Sequence, residues 1–209
     1  MSRLVIILGS TGTGKSSSLR EFKRGEAQVI SCSGKELPIR SDVATAVPKD
    51  YAQLYSVIQQ ADAPVVVIDD LNYMMVADEF ARAKEVGYSK FTDFAINLDR
   101  VFRMIKEKDN PDQTFYVMAH PEERTETNTN LEFKISAGKM SKKFPIGGLT
   151  NTVFETIITE DGQFVFKVGT DGLGVKSPLG MFETATVPND LKTVDKAIRE
   201  FYKPVKEKK

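Results

Sequence analysis

Residues 9–17 read Gly-Ser-Thr-Gly-Thr-Gly-Lys-Ser-Ser, directly behind the apolar run LVIIL at 4–8. Gly9, Gly14, Lys15 and Ser16 satisfy the pattern G-x-x-x-x-G-K-[ST] in full. A strand, then a glycine loop, then a helix is the context in which that pattern carries a mechanism. The glycines let backbone N–H groups converge on phosphate oxygens. Lys15 has the reach for β- and γ-phosphates, and the Ser16 hydroxyl suits Mg2+. Ser10, Thr11, Gly12, Thr13 and Ser17 complete the candidate cradle for ATP. A helix beginning there would add its positive end.

Two carboxylates follow at the end of a second apolar run, PVVVIDD (64–70). Asp69 at a strand end is placed to hold a magnesium-bound water. Asp70 beside it has two readings: polarising an attacking water, or capping the helix that starts at Leu71. A third run, TFYVMAH (114–120), ends on His120, the sole histidine of the chain. A neutral imidazole there could donate to phosphate or water, or could simply be a satisfied ring at a strand end.

These groups need a scaffold that brings strand ends together. The runs at 4–9, 27–33, 64–70 and 114–120 alternate with helical stretches at 14–24, 51–61 and 72–108, the last broken near Gly87. Continuous apolar strands between helices predict a mostly parallel sheet covered on both faces. Residues 34–49, with Pro38 and Pro48, read as loop, and so does the polar stretch 122–130. Alternating runs around Asp161-Gly162 predict a late antiparallel hairpin. A helix over 189–203 and a lysine-rich tail close the chain. The organisation read here is a core over 1–188 and a C-terminal helix and basic tail over 189–209.

The chain has 209 residues, 41% hydrophobic and 28% charged, with 29 Lys+Arg against 29 Asp+Glu. No global basic field exists, so contact with nucleic acid requires a local patch. The lone Cys32 excludes an internal disulfide and fits a reducing compartment. LVIIL is far short of the roughly 20 apolar residues a membrane span needs. No small-residue cleavage site follows it, so no secretory leader is read and a cytoplasmic protein is expected.

The Gly9–Ser16 loop, the VVVIDD strand and FYVMAH (115–120) together resemble the RecA-like P-loop ATPase core over residues 3–183. More narrowly, they resemble the short RecA-like ATPases of phage replication and recombination modules, some of which anneal single strands. The resemblance implies an ATPase using ATP and Mg2+, with Lys15, Asp69 and a strand-end sensor at His120. It implies single-stranded DNA, replication or recombination proteins and further copies of the same chain, in a ring or filament, as partners. No membrane partner is implied, and a phage-encoded chain would work in the host cytoplasm. The family's glutamate usually closes the strand after the phosphate-loop helix. Here that strand ends without an acid, leaving Glu36 or Asp70 as base, or weak hydrolysis. Lys176, after the hairpin, falls where family members reach a neighbour's nucleotide; a solvated turn lysine is the plainer reading. Lys134, Lys139, Lys142 and Lys143, with Phe133 and Phe144, fall where family loops line the DNA path. Lysines there could track phosphates and phenylalanines stack on bases, or the stretch is a solvated basic loop whose aromatics belong to the core. Two other classes stay open: a non-catalytic ATP-binding loader, and a small-molecule or nucleotide kinase, for which an arginine-rich lid is missing after Arg124.

Overall fold

Runs rich in Val and Ile make strands that can be buried on both faces, and the computed structural model, which describes residues 1–134 and 146–203, forms them. They are β1 (Arg3–Leu8), β2 (Ala27–Ser31), β3 (Ala44–Ala46), β4 (Val65–Asp69) and β5 (Thr114–Ala119). The later strands are β6 (Val153–Ile158), β7 (Phe164–Lys167) and β8 (Thr186–Pro188). They join in one eight-stranded sheet of order β3-β2-β4-β5-β1-β6-β7-β8. From β3 to β6 every pairing is parallel; β7 and β8 add antiparallel strands at the far edge. The fold is α/β, a mostly parallel sheet flanked by helices with a late antiparallel extension.

Helices α1 (Tyr51–Gln60), α2 (Asn72–Ala81) and α3 (Ser89–Glu107) cover one face. Leu54, Met74, Leu98 and Phe102 pack there on Ile6, Ile68 and Val117. Asp50 starts α1 by accepting a 2.8 Å bond from the Gln53 N–H, the capping role short acids favour. Helix α4 (Leu191–Phe201) covers the other face, with Leu191, Val194 and Ile198 against Val5, Ile7 and Leu19. A buried polar latch fastens it: Tyr116 Oη donates to Asp195 Oδ1 at 2.8 Å, and Arg199 pairs with the same carboxylate. Arg199 also donates to the Pro64 carbonyl at 2.8 Å.

Two expectations are corrected. The helix predicted over 14–24 is a single 3-10 turn, Ser16–Leu19. Serine favours local backbone bonds over helix continuation, and Ser18 Oγ bonds the Lys15 carbonyl at 2.6 Å. The segment then turns at Gly25, whose φ is +84°. With so short a turn there is no helix macrodipole to add, and α4 supplies the missing cover: Lys192 pairs with Glu26 at 2.6 Å and Arg20 donates to the Asn189 carbonyl. The second correction is β3, a short edge strand inside the stretch read as loop; Ala-Thr-Ala carries too little pattern to announce it.

In a parallel sheet the carboxyl ends of the strands share one edge, and the crevice outside that edge is where such folds bind ligands. Asp69 closes β4, and Gly9, Lys35, Asp70 and His120 follow strand ends on the same edge.

Candidate functional site

The phosphate loop leaves β1 at Gly9, where a Cβ would collide with Thr156 Oγ1 of β6. Thr156 in turn shares a 2.7 Å hydroxyl contact with Thr13, which also donates to the Ser10 carbonyl at 2.8 Å. Gly14 has φ +95°, and a Cβ on it would stand 2.9 Å from Phe164 Cδ1. Both glycines are thus required by close approach as well as by the loop itself. The Asn189 carboxamide also borders Gly14 and is buried with neither polar atom hydrogen-bonded.

Lys15 is 6% exposed. Its Nζ donates to the carbonyls of Gly9 at 2.7 Å and Ser10 at 3.2 Å, and stands 3.9 Å from Asp70 Oδ1. Burial lowers its pKa, while Asp70 and then Asp69 act in the opposite sense. Ser16 Oγ donates to Asp69 Oδ2 at 2.8 Å. Asp69 is buried, and its Oδ1 has no hydrogen-bond partner. Desolvation, and then the neighbouring Asp70, push its carboxyl up to about 6, against the pull of Ser16 and Lys15.

Asp70 does not cap α2: the helix opens at Leu71 without a side-chain cap. Its carboxylate faces the site instead. Asp70 Oδ1 lies 3.3 Å from His120 Nε2 and has no hydrogen-bond partner. The residue has φ +57°, a left-handed conformation that a non-glycine side chain adopts at a cost of about 1–3 kcal/mol and that clusters at functional sites. Burial, and then Lys15, lower the His120 pKa, so the ring is neutral at pH 7 and above. Burial beside Asp69 and Asp70 pushes the Cys32 thiol far up, which removes it as a nucleophile.

The backbone of His120 is fixed by a residue the sequence did not single out. Asn72 Oδ1 accepts from His120 N at 2.6 Å, and Asn72 Nδ2 donates to the Lys134 carbonyl at 2.7 Å. Lys134 N then donates to the His120 carbonyl at 3.1 Å. The segment that opens the lysine group is therefore bonded to the strand end that carries His120. Lys139, Lys142, Lys143 and Phe144 lie outside the described residues. Phe133 is core: buried, and edge-on to Phe102 at 6.4 Å.

Glu36 is exposed, and Lys35 rather than Glu36 borders the cluster. Lys35 Nζ is 3.4 Å from Tyr73 Oη and 4.9 Å from the centre of the Tyr73 ring. Lys176 sits beside β6, its backbone exchanging two 2.9 Å bonds with Val153. Among the described residues no hydrogen bond or ion pair joins it to Lys15, Asp69, Asp70 or His120. Glu155, also missed, is a buried acid next to the loop strand, paired with Arg124 at 3.0 Å.

No family model and no curated protein matches the chain. The X-ray structure of the Legionella pneumophila ATPase DotB is similar in fold at a TM-score of 0.39 and 12% identity. That match covers 96% of this chain and 52% of DotB, so the chain spans about half of that protein's length. So loose a likeness transfers no residue roles, and the roles considered below come from this chain's own geometry. Its glycine loop, the Ser16–Asp69 bond and the strand order describe a P-loop NTPase fold. No helix among the described residues is long and apolar enough to cross a membrane.

Proposed function

We propose that this chain binds Mg2+-ATP at Gly9–Ser17 and hydrolyses it, with Asp70 polarising the attacking water and His120 sensing the terminal phosphate. The observation that carries the reading is the Ser16 Oγ–Asp69 Oδ2 bond of 2.8 Å at the mouth of the glycine loop. It joins the loop hydroxyl to the strand-end acid, the pair that holds magnesium in P-loop NTPases. The fit is tested by the orphaned Asp69 Oδ1, an anionic acceptor lacking a donor. Among the described residues no three His, Cys, Asp or Glu side chains form a cage, consistent with an ion that keeps waters and uses one or two protein groups plus substrate phosphates. When bound, magnesium neutralises phosphate charge.

The chain's own groups account for the rest. Lys15 exchanges its loop carbonyls for phosphate oxygens and remains near Asp70. Asp70 Oδ1 accepts a proton from water, and the neutral His120 ring donates across the same gap. Positioned donors of this kind contribute about 10²–10³ in rate each.

The finer reading is a RecA-like ATPase acting on single-stranded DNA in phage recombination or replication, assembled as a ring or filament with Lys176 reaching a neighbour. Resemblance in the loop and strand motifs supports it, and so does the bonding of Lys134 to His120, which gives a DNA-contacting segment a route to the nucleotide. The exposure of Glu36 favours a second reading, a non-catalytic ATP-dependent loader, should Asp70 fail as base. ATP turnover measured with and without single-stranded DNA separates these. Hydrolysis that DNA stimulates, that Lys15→Ala and Asp70→Asn abolish, and that loses its DNA response on neutralising Lys139, Lys142 and Lys143 supports the full reading. Binding without turnover selects the loader. Undiminished turnover in folded Lys15→Ala overturns the site.

A further inference from the structure

Beyond the carboxyl end of β2, which carries no acid, stands a cation. Lys35 is held by its own backbone: Ser31 Oγ, buried at the end of β2, donates to the Lys35 carbonyl at 3.2 Å, while Lys35 N donates to Ser33 Oγ. Gly34, at φ +70°, turns the chain so that this short loop folds back over the strand ends. The Lys35 side chain rests on Tyr73, with Nζ 3.4 Å from Oη and 4.9 Å from the ring centre. The Tyr73 ring stands edge-on to His120 at 6.2 Å. His120 in turn faces Asp70, which faces Lys15. The charge on Lys35 is felt at Lys15, Asp69 and His120 alike. A second ammonium is thus aimed at the crevice that Lys15 serves, from its opposite wall. Among the described residues its one hydrogen-bond partner is a neutral hydroxyl, and an ammonium carries three donors.

Two lysines frame one crevice, with Asp69 and Asp70 between them in strand order, and a phosphate entering it meets a cation from each wall. Lys15 arrives from β1 with the glycine loop. Lys35 arrives from β2, on the far side of Asp69 and Asp70 in strand order. We propose that Lys35 binds the terminal phosphate of the nucleotide from within the same chain, with Tyr73 as its resting place when no γ-phosphate is present. The site then distinguishes a triphosphate from a diphosphate: hydrolysis and phosphate release return Lys35 to Tyr73. This rests on the nucleotide reading of the Gly9–Ser16 loop and adds to Lys15 a second γ-phosphate contact, from outside the loop motif.

The test uses fluorescent ADP and a fluorescent non-hydrolysable ATP analogue, each with Mg2+, on the full chain and on Lys35→Ala and Lys35→Arg. Lys35 is exposed, and matched thermal midpoints establish that the variants fold. The expected result is unchanged ADP affinity in Lys35→Ala with analogue affinity weaker by roughly 10- to 100-fold, the ordinary worth of one charge-assisted contact. Lys35→Arg restores most of the difference. Tyr73→Phe removes the hydroxyl partner while keeping the ring, which loosens the resting contact and tightens the analogue relative to ADP. An analogue-to-ADP affinity ratio in Lys35→Ala equal to that of the unaltered chain overturns the proposal while leaving the nucleotide site intact. Failure of the unaltered chain to bind either nucleotide, or binding that survives Lys15→Ala undiminished, overturns the site itself and this proposal with it.

Discussion

Asp69→Asn should stabilise the nucleotide-free protein at the same time as it destroys Mg2+-dependent turnover. The Asp69 carboxyl is raised from 3.8 to about 6 by burial and by Asp70. At pH 7.5 it is nevertheless ionised, and holding it so costs roughly 3 kcal/mol relative to an unfolded chain. The sign follows from proton counts. Between 3.8 and about 6 the native state binds more protons at this site than the unfolded state. Stability therefore falls as pH rises through that window and stays reduced above it. An asparagine cannot ionise, and its side-chain oxygen still accepts from Ser16 Oγ. That figure is already net of the attraction to Lys15 and Ser16; the unpaired amide NH2 that takes the place of Oδ1 offsets part of it, leaving a gain of about 1–2 kcal/mol at pH 7.5, a rise in melting temperature on the order of 2–8 °C for a chain of this size. Scanning calorimetry at pH 7.5 and at pH 4.5 checks it. The advantage of the variant should be present at the higher pH and nearly absent at the lower. Mg2+-ATP should raise the midpoint of the unaltered chain and much less that of the variant. A variant that is equally destabilised at both pH values would refute the electrostatic reasoning and make Asp69 an ordinary hydrogen-bonded core residue.

Two further outcomes follow from the site. Asn72→Leu removes the clamp between His120 and Lys134, leaving part-buried backbone groups without their partner; a loss of about 1–2 kcal/mol in urea melts, with turnover falling more than ADP affinity, is expected, and unchanged stability would show the clamp to be dispensable. If Lys176 acts on a neighbour's nucleotide, mixing Lys176→Ala chains with Lys15→Ala chains should recover turnover above either alone, and mixtures that exchange subunits without recovering activity would return Lys176 to its turn.

What the sequence made legible was what rests on pattern. LVIIL, PVVVID and TFYVMA became strands because continuous apolar runs have few other fates, and Asp161-Gly162 marked the hairpin. The phosphate loop and Asp69 were legible because a short motif carries its own mechanism. The 3-10 turn after Ser16 was not, since Ser-Leu-Arg-Glu-Phe-Lys spaces its apolar residues well enough for a helix, and only the packing of α4 against Leu19 shows why none is needed. Asn72 and Lys35 were missed for a different reason. Their roles come from what lies across the crevice, His120 and Tyr73, and no spacing along the chain records that. Glu36 drew notice by charge type, while the neighbouring lysine borders the cluster. For Phe133 the sequence leaves base stacking and core both open; the core reading holds, because its partner Phe102 sits in a helix that ends before β5 begins.

The strand order also governs when the molecule becomes competent during synthesis. β1 carries the phosphate loop, yet its neighbours in the sheet are β5 and β6, and the far side of its sheet face is closed by α4. A ribosome therefore extrudes the glycine loop long before the segments that shape it. Pairings of such large sequence separation form late, because chain closure must precede the contacts that reward it. Until Val153–Ile158 has emerged, Thr156 cannot brace Gly9 and Thr13. Until Leu191–Phe201 has followed, Leu19 has no cover. The glycine loop is thus braced only once Leu191–Phe201 has emerged, and a shorter nascent chain carries the motif in its sequence without that bracing in its structure.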